Sequence, residues 1–427
     1  MFKSNTIIVL FVTLICPPVG LILSLLCLYK DHKNWRIYIF CVAYAFAIFA
    51  YCYEPTTNSD LVRYYQYVQQ LQGHTFTEAL EIGQYGHDKL YAFVWGCWIV
   101  SAVNDIHLLP AFSVFCVYYI GLFVTCKFGE DVNGNYKHIT TYIVLMLMMI
   151  SFYSIVNNVR NVCAFSLIGL AVFRDCYQKK RNIITFTFYI LPIFLHSSAI
   201  VFIIIRLIIR FTGKMRLICS ALVLFVPLAL NILDSRFSSI TSSNFIINIF
   251  LSMVNSGNNY FTHTTSAWAL TVANSGSEKV ARFFYIAFAL LTVCIYFKIQ
   301  KSKNVILALK NKTENENILS VIDFAFLCSL LTISCVPMVM PEYWRFVSIL
   351  ILFGGGFYIL LPDFVGKTAA LIIQKVMLSF GSIVMILWIR DLLLYSDVLT
   401  TLLRACISNP IVLLILNFTG KSIEIIT

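Results

Sequence analysis

Three arginines, an aspartate and a histidine lie at the ends of apolar segments, where ionisable side chains are costly to keep. They are Asp60 with Arg63, Arg160 in YSIVNNVRN, His196 in FLHSSA and Arg345 in PEYWRF. An ionisable residue at the edge of a hydrocarbon layer is a functional candidate by default. Arginine can bind an anionic group, and a carboxylate or an imidazole can move a proton. Several such residues on one face predict a site.

The composition indicates that these residues belong to a membrane protein. Of the 427 residues, 59% are hydrophobic and only 12% are charged, which is more apolar surface than a soluble protein can solvate. Apolar segments lie near 7–29, 36–53, 89–103, 106–126, 138–156, 161–177, 183–210, 217–233, 280–299, 318–340, 345–361 and 368–392. We predict an all-α polytopic membrane protein in which 1–427 form a single integral-membrane domain of about 10–12 transmembrane helices.

The distribution of lysine and arginine orients the segments. Cytosolic loops carry an excess of both, so the basic clusters near 30–36, 179–181, 206–216 and 298–312 are placed in the cytosol. Stretch 54–88 holds five acids against one arginine, and 234–279 is long, polar and electrically balanced. Both are predicted to be outer loops, the first of them structured. The N-terminus then starts outside, and segment 7–29 stays as a membrane anchor.

At two segments, simple crossing would place a basic cluster on the outer side. Each of these segments is therefore predicted not to be an ordinary transmembrane helix. If segment 89–103 crossed the membrane fully, the basic cluster at 179–181 would lie outside. If the segment only dips in or lies at the outer interface, that cluster lies in the cytosol. Segment 182–210 is too long for one helix and has basic clusters at both ends, so we predict a hairpin of two short helices that turns at His196. Such a hairpin implies a cavity, because non-helical backbone at membrane depth must be covered by protein or water. The residues predicted to face outward are then Asp60, Arg63, Arg160, His196 and Arg345.

Each candidate also has a purely structural interpretation. Arg160 and Arg345 can anchor helix ends at the interface, although such arginines favour the cytosolic side and these two are predicted outside. A histidine such as His196 can bridge two helices with a hydrogen bond. Asp60 and Arg63 can form nothing more than an i,i+3 pair on a solvated helix.

The first outer loop carries two helix signals. The stretch SDLVRYYQYVQQL predicts a helix with Ser59 as its N-cap, and Thr75 with Glu78 predicts a capping box for a second short helix. One face of the first helix joins an acid to a tyrosine stripe, namely Asp60, Tyr64, Tyr67 and Leu71. Tyrosine is routine at a bilayer interface, so the stripe alone does not predict sugar binding.

Metal and nucleic-acid sites have little support in the sequence. The fourteen cysteines are scattered, and none are spaced as C-x-x-C. Most lie inside apolar segments, where cysteine behaves as a small hydrophobe, so neither a metal site nor a disulfide framework is indicated. The net charge of +11 is read as loop charge that faces the cytosol and anionic lipid. We expect no metal, no cofactor and no nucleic-acid partner.

Several motifs occur in an order that resembles a known family. They are Glu54-Pro55 followed by Asp60 and Tyr64-Tyr65, then NNVRN at the start of an apolar helix that ends in YQKKRN, then LPIFLHSSAIVFI. Together they resemble the EpsG-like branch of the bacterial Wzy-type polysaccharide polymerases over roughly residues 36–210, with a looser echo in EYWRF. The chain departs from the family at Asn161, where glutamine is common, and at Glu54, where an arginine is frequent.

The resemblance implies a GT-C-like membrane glycosyltransferase in the bacterial inner membrane. It joins oligosaccharide repeat units carried on undecaprenyl diphosphate at the periplasmic face, which makes 54–88 and 234–279 periplasmic loops. Arg160 and Arg345 are assigned to the diphosphate, His196 to phosphate donation or proton transfer, and Asp60 to the weaker base. The candidate substrate-binding residues are Arg63, Tyr64, Tyr67, Asn157 and Tyr343.

Two other classes of function stay open on the sequence. A lipid-linked oligosaccharide flippase is a transporter, and transporters place charges near the bilayer midplane and often have duplicated halves. No repeat is evident, and the candidate charges cluster at one face. An oligosaccharide ligase or a membrane acyltransferase is closer in chemistry, since the ligase differs only in its acceptor. Membrane lipid and a chain-length regulator protein are further candidate partners.

Overall fold

The described part of the chain is helical throughout. The computed structural model describes residues 4–30, 33–55, 59–82, 90–132, 134–211, 213–225, 247, 251, 276–301, 317–336, 342–395 and 398–407, and no strand occurs among them. The first ten helices are α1 (Ser4–Ile15), α2 (Pro17–Lys30), α3 (Trp35–Tyr51), α4 (Asp60–Gln70), α5 (Phe76–Ile82), α6 (Tyr91–Val103), α7 (Leu108–Asp131), α8 (Tyr136–Met149), α9 (Phe152–Asn157) and α10 (Val159–Val172). The predicted all-α class is confirmed.

The second half of the chain has longer gaps between its described helices. A π-helix (Phe173–Tyr177) continues α10, and a 3₁₀ turn (Ser197–Ala199) separates α11 from α12. The later helices are α11 (Ile183–Leu195), α12 (Ile200–Ile208), α13 (Gly213–Leu224), α14 (Gly276–Lys301), α15 (Ile318–Ser334), α16 (Glu342–Phe353), α17 (Gly355–Ile359), α18 (Leu361–Val365), α19 (Lys367–Tyr395) and α20 (Val398–Ile407). Nearly all of the predicted loop 234–279 lies outside the described residues.

Three helices are long and apolar enough to cross a membrane, judged by length and composition. They are Leu108–Asp131, Lys279–Lys301 and Lys367–Arg390. Several shorter apolar helices accompany them, which is compatible with a polytopic membrane protein. The chain divides into two compact units: unit 1 comprises Met1–Leu167, Phe194–His196 and Trp388–Thr427, and unit 2 comprises Ile168–Ile193 and Ser197–Leu387.

An antiparallel pair, α3 and α7, runs through unit 1. At one end the Tyr51 hydroxyl donates to Asp105, just before α7, at 2.8 Å. At the other end the Trp35 indole N–H donates to Glu130 at 3.4 Å. We call these the Tyr51 end and the Trp35 end of unit 1. Because α3 finishes and α7 begins at the Tyr51 end, the chain between them makes no net crossing of the pair.

Helix α6 belongs to this stretch between α3 and α7. It has 13 residues, about 20 Å of helix, against a hydrocarbon layer of about 30 Å. It packs on α4 and α5: Phe93 stacks on Tyr67 with ring centroids 6.3 Å apart, and Asn104 at its end accepts from Gln72 at 2.7 Å. A short helix packed on α4 is compatible with the dipping or interfacial segment predicted at 89–103, which stays a prediction.

The predicted single anchor at 7–29 is wrong, because the chain reverses between α1 and α2. The two helices have 12 and 14 residues and meet at Cys16-Pro17, where proline cannot continue the backbone hydrogen bonds. Thr6 on α1 lies 3.2 Å from the Tyr38 hydroxyl near the start of α3. The start of α1 and the end of α2 therefore share the Trp35 end. If the basic loop 30–36 is cytosolic, as the charge rule predicts, the start of α1 is then predicted inside and not outside.

Small side chains allow this hairpin to close. A Cβ atom added to Gly20 on α2 would lie 2.3 Å from the Thr13 Cα on α1, so only glycine fits. Ser24 donates to the Gly20 carbonyl at 2.6 Å, and Thr13 donates to the Val9 carbonyl at 2.7 Å. Small residues that let helix backbones approach closely are typical of packing in membranes.

The predicted hairpin at His196 is present in the fold. Helix α11 ends at Leu195, and α12 follows after the 3₁₀ turn. Tyr189 and Arg206 lie on either side of the break, and both donate to the Asp175 carboxylate. In one continuous helix they would be about 25 Å apart, so the chain turns back between them.

Candidate functional site

The guanidinium of Arg160 is the best-defined cation at the Tyr51 end. Its Nε donates to the Tyr64 hydroxyl at 3.0 Å, and its Cζ lies 5.5 Å from the Tyr64 ring centroid and 5.1 Å from that of Phe93. The start of α10 is tied to α7 by Ser113, whose hydroxyl donates to the Val159 carbonyl at 2.8 Å. Helix α7 therefore fixes the backbone next to Arg160, and helices α4 and α6 fix its guanidinium.

Asp60 and Arg63 form an exposed pair at the start of α4. Their charged atoms are 3.2 Å apart, and the side chains are 45% and 58% exposed. Ser59 caps the helix by accepting from the Val62 N–H at 3.4 Å, as predicted. A pair this exposed contributes at most about 1 kcal/mol. The geometry is that of the solvated i,i+3 pair. In this pair Arg63 contacts the Asp60 carboxylate, the group to which the role of the weaker base was assigned.

The tyrosine stripe of α4 faces protein. Tyr67 is 2% exposed, and its hydroxyl donates to the Ala79 carbonyl at 3.4 Å. Tyr64 packs edge-on against Phe93 with ring centroids 5.4 Å apart. Asn157 is also buried, and its amide donates to the Tyr153 carbonyl at 2.9 Å. Of the proposed substrate-binding residues, Tyr67 and Asn157 are thus buried, and Tyr64 contacts Arg160. Their assignment to the substrate stays a prediction.

The remaining candidates, His196, Tyr343 and Arg345, lie on later parts of the chain. His196 is partly exposed and belongs to unit 1, where it packs edge-on against Phe165 with ring centroids 5.9 Å apart. Phe165 lies five residues after Arg160 on α10, about 7.5 Å along the axis. Tyr343 and Arg345 lie on α16, but their side chains are outside the described residues, so their assignments stay predictions.

A second polar cluster lies at the Tyr51 end and was not predicted from the sequence. Asp105 and His107 lie in the turn between α6 and α7, and the partners of this turn are Tyr51 at the end of α3 and Tyr65 on α4. The signal in the sequence was an acid and a histidine two residues apart in a short polar break between apolar helices. That signal gains meaning only from partners that are distant in sequence.

Glu54, at the start of the stretch predicted as the first outer loop, pairs with an arginine of α20. The Arg404 Nη1 lies 2.8 Å from the Glu54 Oε1. Its neighbour Ala405 on α20 is fully buried against Ile48 and Cys52. A positive charge thus lies beside the first outer loop, although it comes from α20.

A metal centre finds no support in the described ranges, where no group of three or more His, Cys, Asp and Glu side chains could hold an ion.

No family model, curated protein or solved structure matches this chain. Its function is therefore inferred from its own residues, above all from those at the Tyr51 end of unit 1.

Proposed function

We propose that the protein is a GT-C-like polymerase of about 10–12 transmembrane helices that joins undecaprenyl-diphosphate-linked oligosaccharide repeat units at the periplasmic face of the bacterial inner membrane. The observation that carries the proposal is the setting of Arg160. Its guanidinium is held by a tyrosine hydroxyl and two aromatic rings at the end of unit 1 opposite the first basic loop. This is the end that the charge count assigns to the outside.

Helix stability does not explain an arginine at this position. Arg160 is the second residue of α10, and a cation at a helix N-terminus opposes the helix dipole by about 0.3–1 kcal/mol. An anionic ligand would reverse that sign. A lipid diphosphate is such a ligand, and the planar guanidinium can meet two of its oxygens at once.

The contacts of Arg160 suit a leaving group. The Tyr64 hydroxyl accepts a hydrogen bond from Nε of Arg160, and this bond fixes the plane of the guanidinium before a ligand binds. In glycosyl transfer the bond between the sugar and the diphosphate breaks, and negative charge grows on the departing oxygen. A preorganised donor is most effective where charge develops. His196 packs on Phe165, five residues along α10 from Arg160, and is the second candidate donor to the phosphates.

The surface glycan of a strain that lacks this protein tests the proposal. Loss of a polymerase leaves single repeat units on the surface, because transport and attachment continue. Loss of a flippase or of a ligase leaves no repeat units there. Long polymer in the deletion strain would exclude the proposed function, and complementation with the wild-type gene should restore the normal length distribution.

A further inference from the structure

The turn at 104–107 forms a closed set of contacts at the Tyr51 end. Asp105 is 4% exposed. One of its carboxylate oxygens accepts from the Tyr51 hydroxyl at 2.8 Å, and the other accepts from the His107 backbone N–H at 3.2 Å. A carboxylate that is buried and bonded at both oxygens fixes the backbone around it. The turn therefore presents the His107 side chain in a defined position.

The imidazole of His107 is held on two sides and at one nitrogen. Its ring centroid is 5.6 Å from that of Tyr51 and 5.4 Å from that of Tyr65. Its Nδ1 lies 3.4 Å from the Tyr65 hydroxyl. Within the described part of the chain, Nε2 has no hydrogen-bond partner, and the side chain is partly exposed. One nitrogen is thus oriented by a neutral group, and the other is available to a ligand.

One helix connects this imidazole to Arg160. Tyr64 and Tyr65 are neighbours on α4, and their side chains point about 100° apart around the axis. Tyr64 contacts Arg160, and Tyr65 contacts His107. A cation and an imidazole are therefore positioned by adjacent residues of one rigid element at the same end of unit 1.

We propose that His107 accepts the proton of the acceptor-sugar hydroxyl, with Tyr65 and Asp105 as positioning residues. This inference rests on the proposed polymerase function. It assigns the base to His107 rather than to Asp60, whose carboxylate is exposed and paired with Arg63. The substrate at this position is a sugar hydroxyl at the end of the acceptor repeat unit.

The hydroxyl oxygen forms a bond to the anomeric carbon of the donor, and the bond from that carbon to the diphosphate oxygen breaks. The electron pair of the broken bond leaves with undecaprenyl diphosphate beside Arg160. The hydroxyl proton moves to Nε2 of His107, while Nδ1–H stays donated to the Tyr65 oxygen. The imidazolium then returns its proton to water.

Membranes that carry the wild-type protein or a variant can be assayed with lipid-linked repeat units isolated from the deletion strain. His107→Gln should lower the polymerisation rate by about 10²-fold or more at normal protein level, since an amide cannot accept the proton. The matched control is His138→Gln, which changes a partly exposed histidine at the Trp35 end of α8 and should leave the rate unchanged. A His107→Gln variant with the wild-type rate overturns the inference.

Tyr65→Phe gives an independent measurement if His107→Gln folds poorly. It keeps the ring and removes the hydroxyl that holds Nδ1, so the acid limb of the rate against pH should move. Tyr51, Tyr65 and Asp105 contact His107 directly. The charged and titratable groups that act on Tyr65 are Glu54, Asp105, Tyr53 and Tyr51, and Arg404 pairs with Glu54. A Tyr65→Phe variant with an unchanged rate and an unchanged acid limb contradicts the assignment.

The two proposals fail in distinguishable ways. If wild-type membranes make no polymer from lipid-linked repeat units, or if the deletion strain keeps long polymer, the polymerase function is wrong. If wild-type membranes polymerise and the His107 variant does so equally well, only the assignment of the base is wrong.

Discussion

Two clusters that combine arginine with tyrosine use their arginines in different ways. In unit 2 the Asp175 carboxylate is 6% exposed and Arg206 is 5% exposed. One oxygen of Asp175 accepts from Arg181 at 2.8 Å, and the other accepts from Arg206 and from the Tyr189 hydroxyl. One carboxylate thus bridges two guanidinium groups and a hydroxyl, and the contacts to Tyr189 and Arg206 close the hairpin between α11 and α12.

At the Tyr51 end of unit 1, tyrosine hydroxyls hold the functional candidates. Tyr64 contacts Arg160, and Tyr65 contacts His107. The Asp175 cluster therefore ties α11 to α12 through a carboxylate, while at the Tyr51 end two tyrosine hydroxyls hold a guanidinium and an imidazole in fixed positions.

The largest effect is an all-or-none difference in labelling from the outside. In a cysteine-free background, single cysteines at Asp60 and Asn158 should react with a membrane-impermeant reagent, and those at Lys180 and Met215 should not. A cysteine at Ser4 should also be protected, because α1 starts at the Trp35 end. External labelling at Lys180 would contradict the cytosolic placement of the basic cluster at 179–181.

Removal of the Asp175 charge should have the largest effect on stability. Asp175→Asn leaves Arg206 buried without its carboxylate, and breaking a buried pair in this way costs about 3–5 kcal/mol. The free energy of unfolding in detergent measures the loss. Arg181→Gln is the matched control: this side chain is 55% exposed, so its removal should cost about 1 kcal/mol or less. Equal stability of the two variants would show that the cluster does not close the fold.

Alanine at the closest helix contacts should have the next largest effect. A Cβ atom at Gly20 meets the Thr13 backbone, and one at Gly169 lies 2.2 Å from the Phe353 ring. Overpacking of this kind costs about 1–3 kcal/mol, and Gly20→Ala should cost more because backbone cannot rotate away. At Gly96 nothing lies within 4 Å of the added atom, so Gly96→Ala should not lower the stability. Thermal unfolding in detergent compares the three variants.

The smallest effect is local and depends on pH. Glu78 accepts from the Thr75 backbone N–H at 2.7 Å and from its hydroxyl at 3.0 Å, and these bonds lower the pKa of the Glu78 carboxyl from its ordinary value of 4.5. The cap therefore contributes its full stability above about pH 4.5, and this is lost as pH falls through the lower folded pKa. Protection of α5 amides from hydrogen exchange should fall over that range, and Glu78→Gln should abolish the dependence. Glu81→Gln, which lies outside the cap, should preserve it.

Features with local causes were predictable from the sequence. The caps at Ser59 and Thr75 are formed as expected, because each depends on residues within three positions. The turn at His196 was also predicted, since basic residues at both ends of an apolar segment require the chain to reverse. In both cases the determining physical terms lie within one short stretch of sequence.

Features that depend on distant partners were missed. Segment 7–29 reads as one span by hydropathy, yet Gly20 permits a contact with Thr13 that closes a hairpin at Pro17. Asp105 and His107 gain their setting from Tyr51 and Tyr65, which are more than 40 positions away. Periodicity and charge counting do not report such contacts, because they describe one segment at a time.

The central claim is that Arg160 binds the lipid diphosphate, and a single substitution tests it most directly. Arg160→Lys keeps the charge but loses the planar fork. If the contact is bidentate, surface glycan from a complemented deletion strain should shorten sharply at normal protein level. Arg36→Lys is the matched control, because Arg36 also lies over an aromatic ring, 5.4 Å from the Trp35 centroid, but at the Trp35 end. Normal glycan from Arg36→Lys with short glycan from Arg160→Lys is the predicted result, and normal polymer from a well-expressed Arg160→Lys variant would contradict the claim.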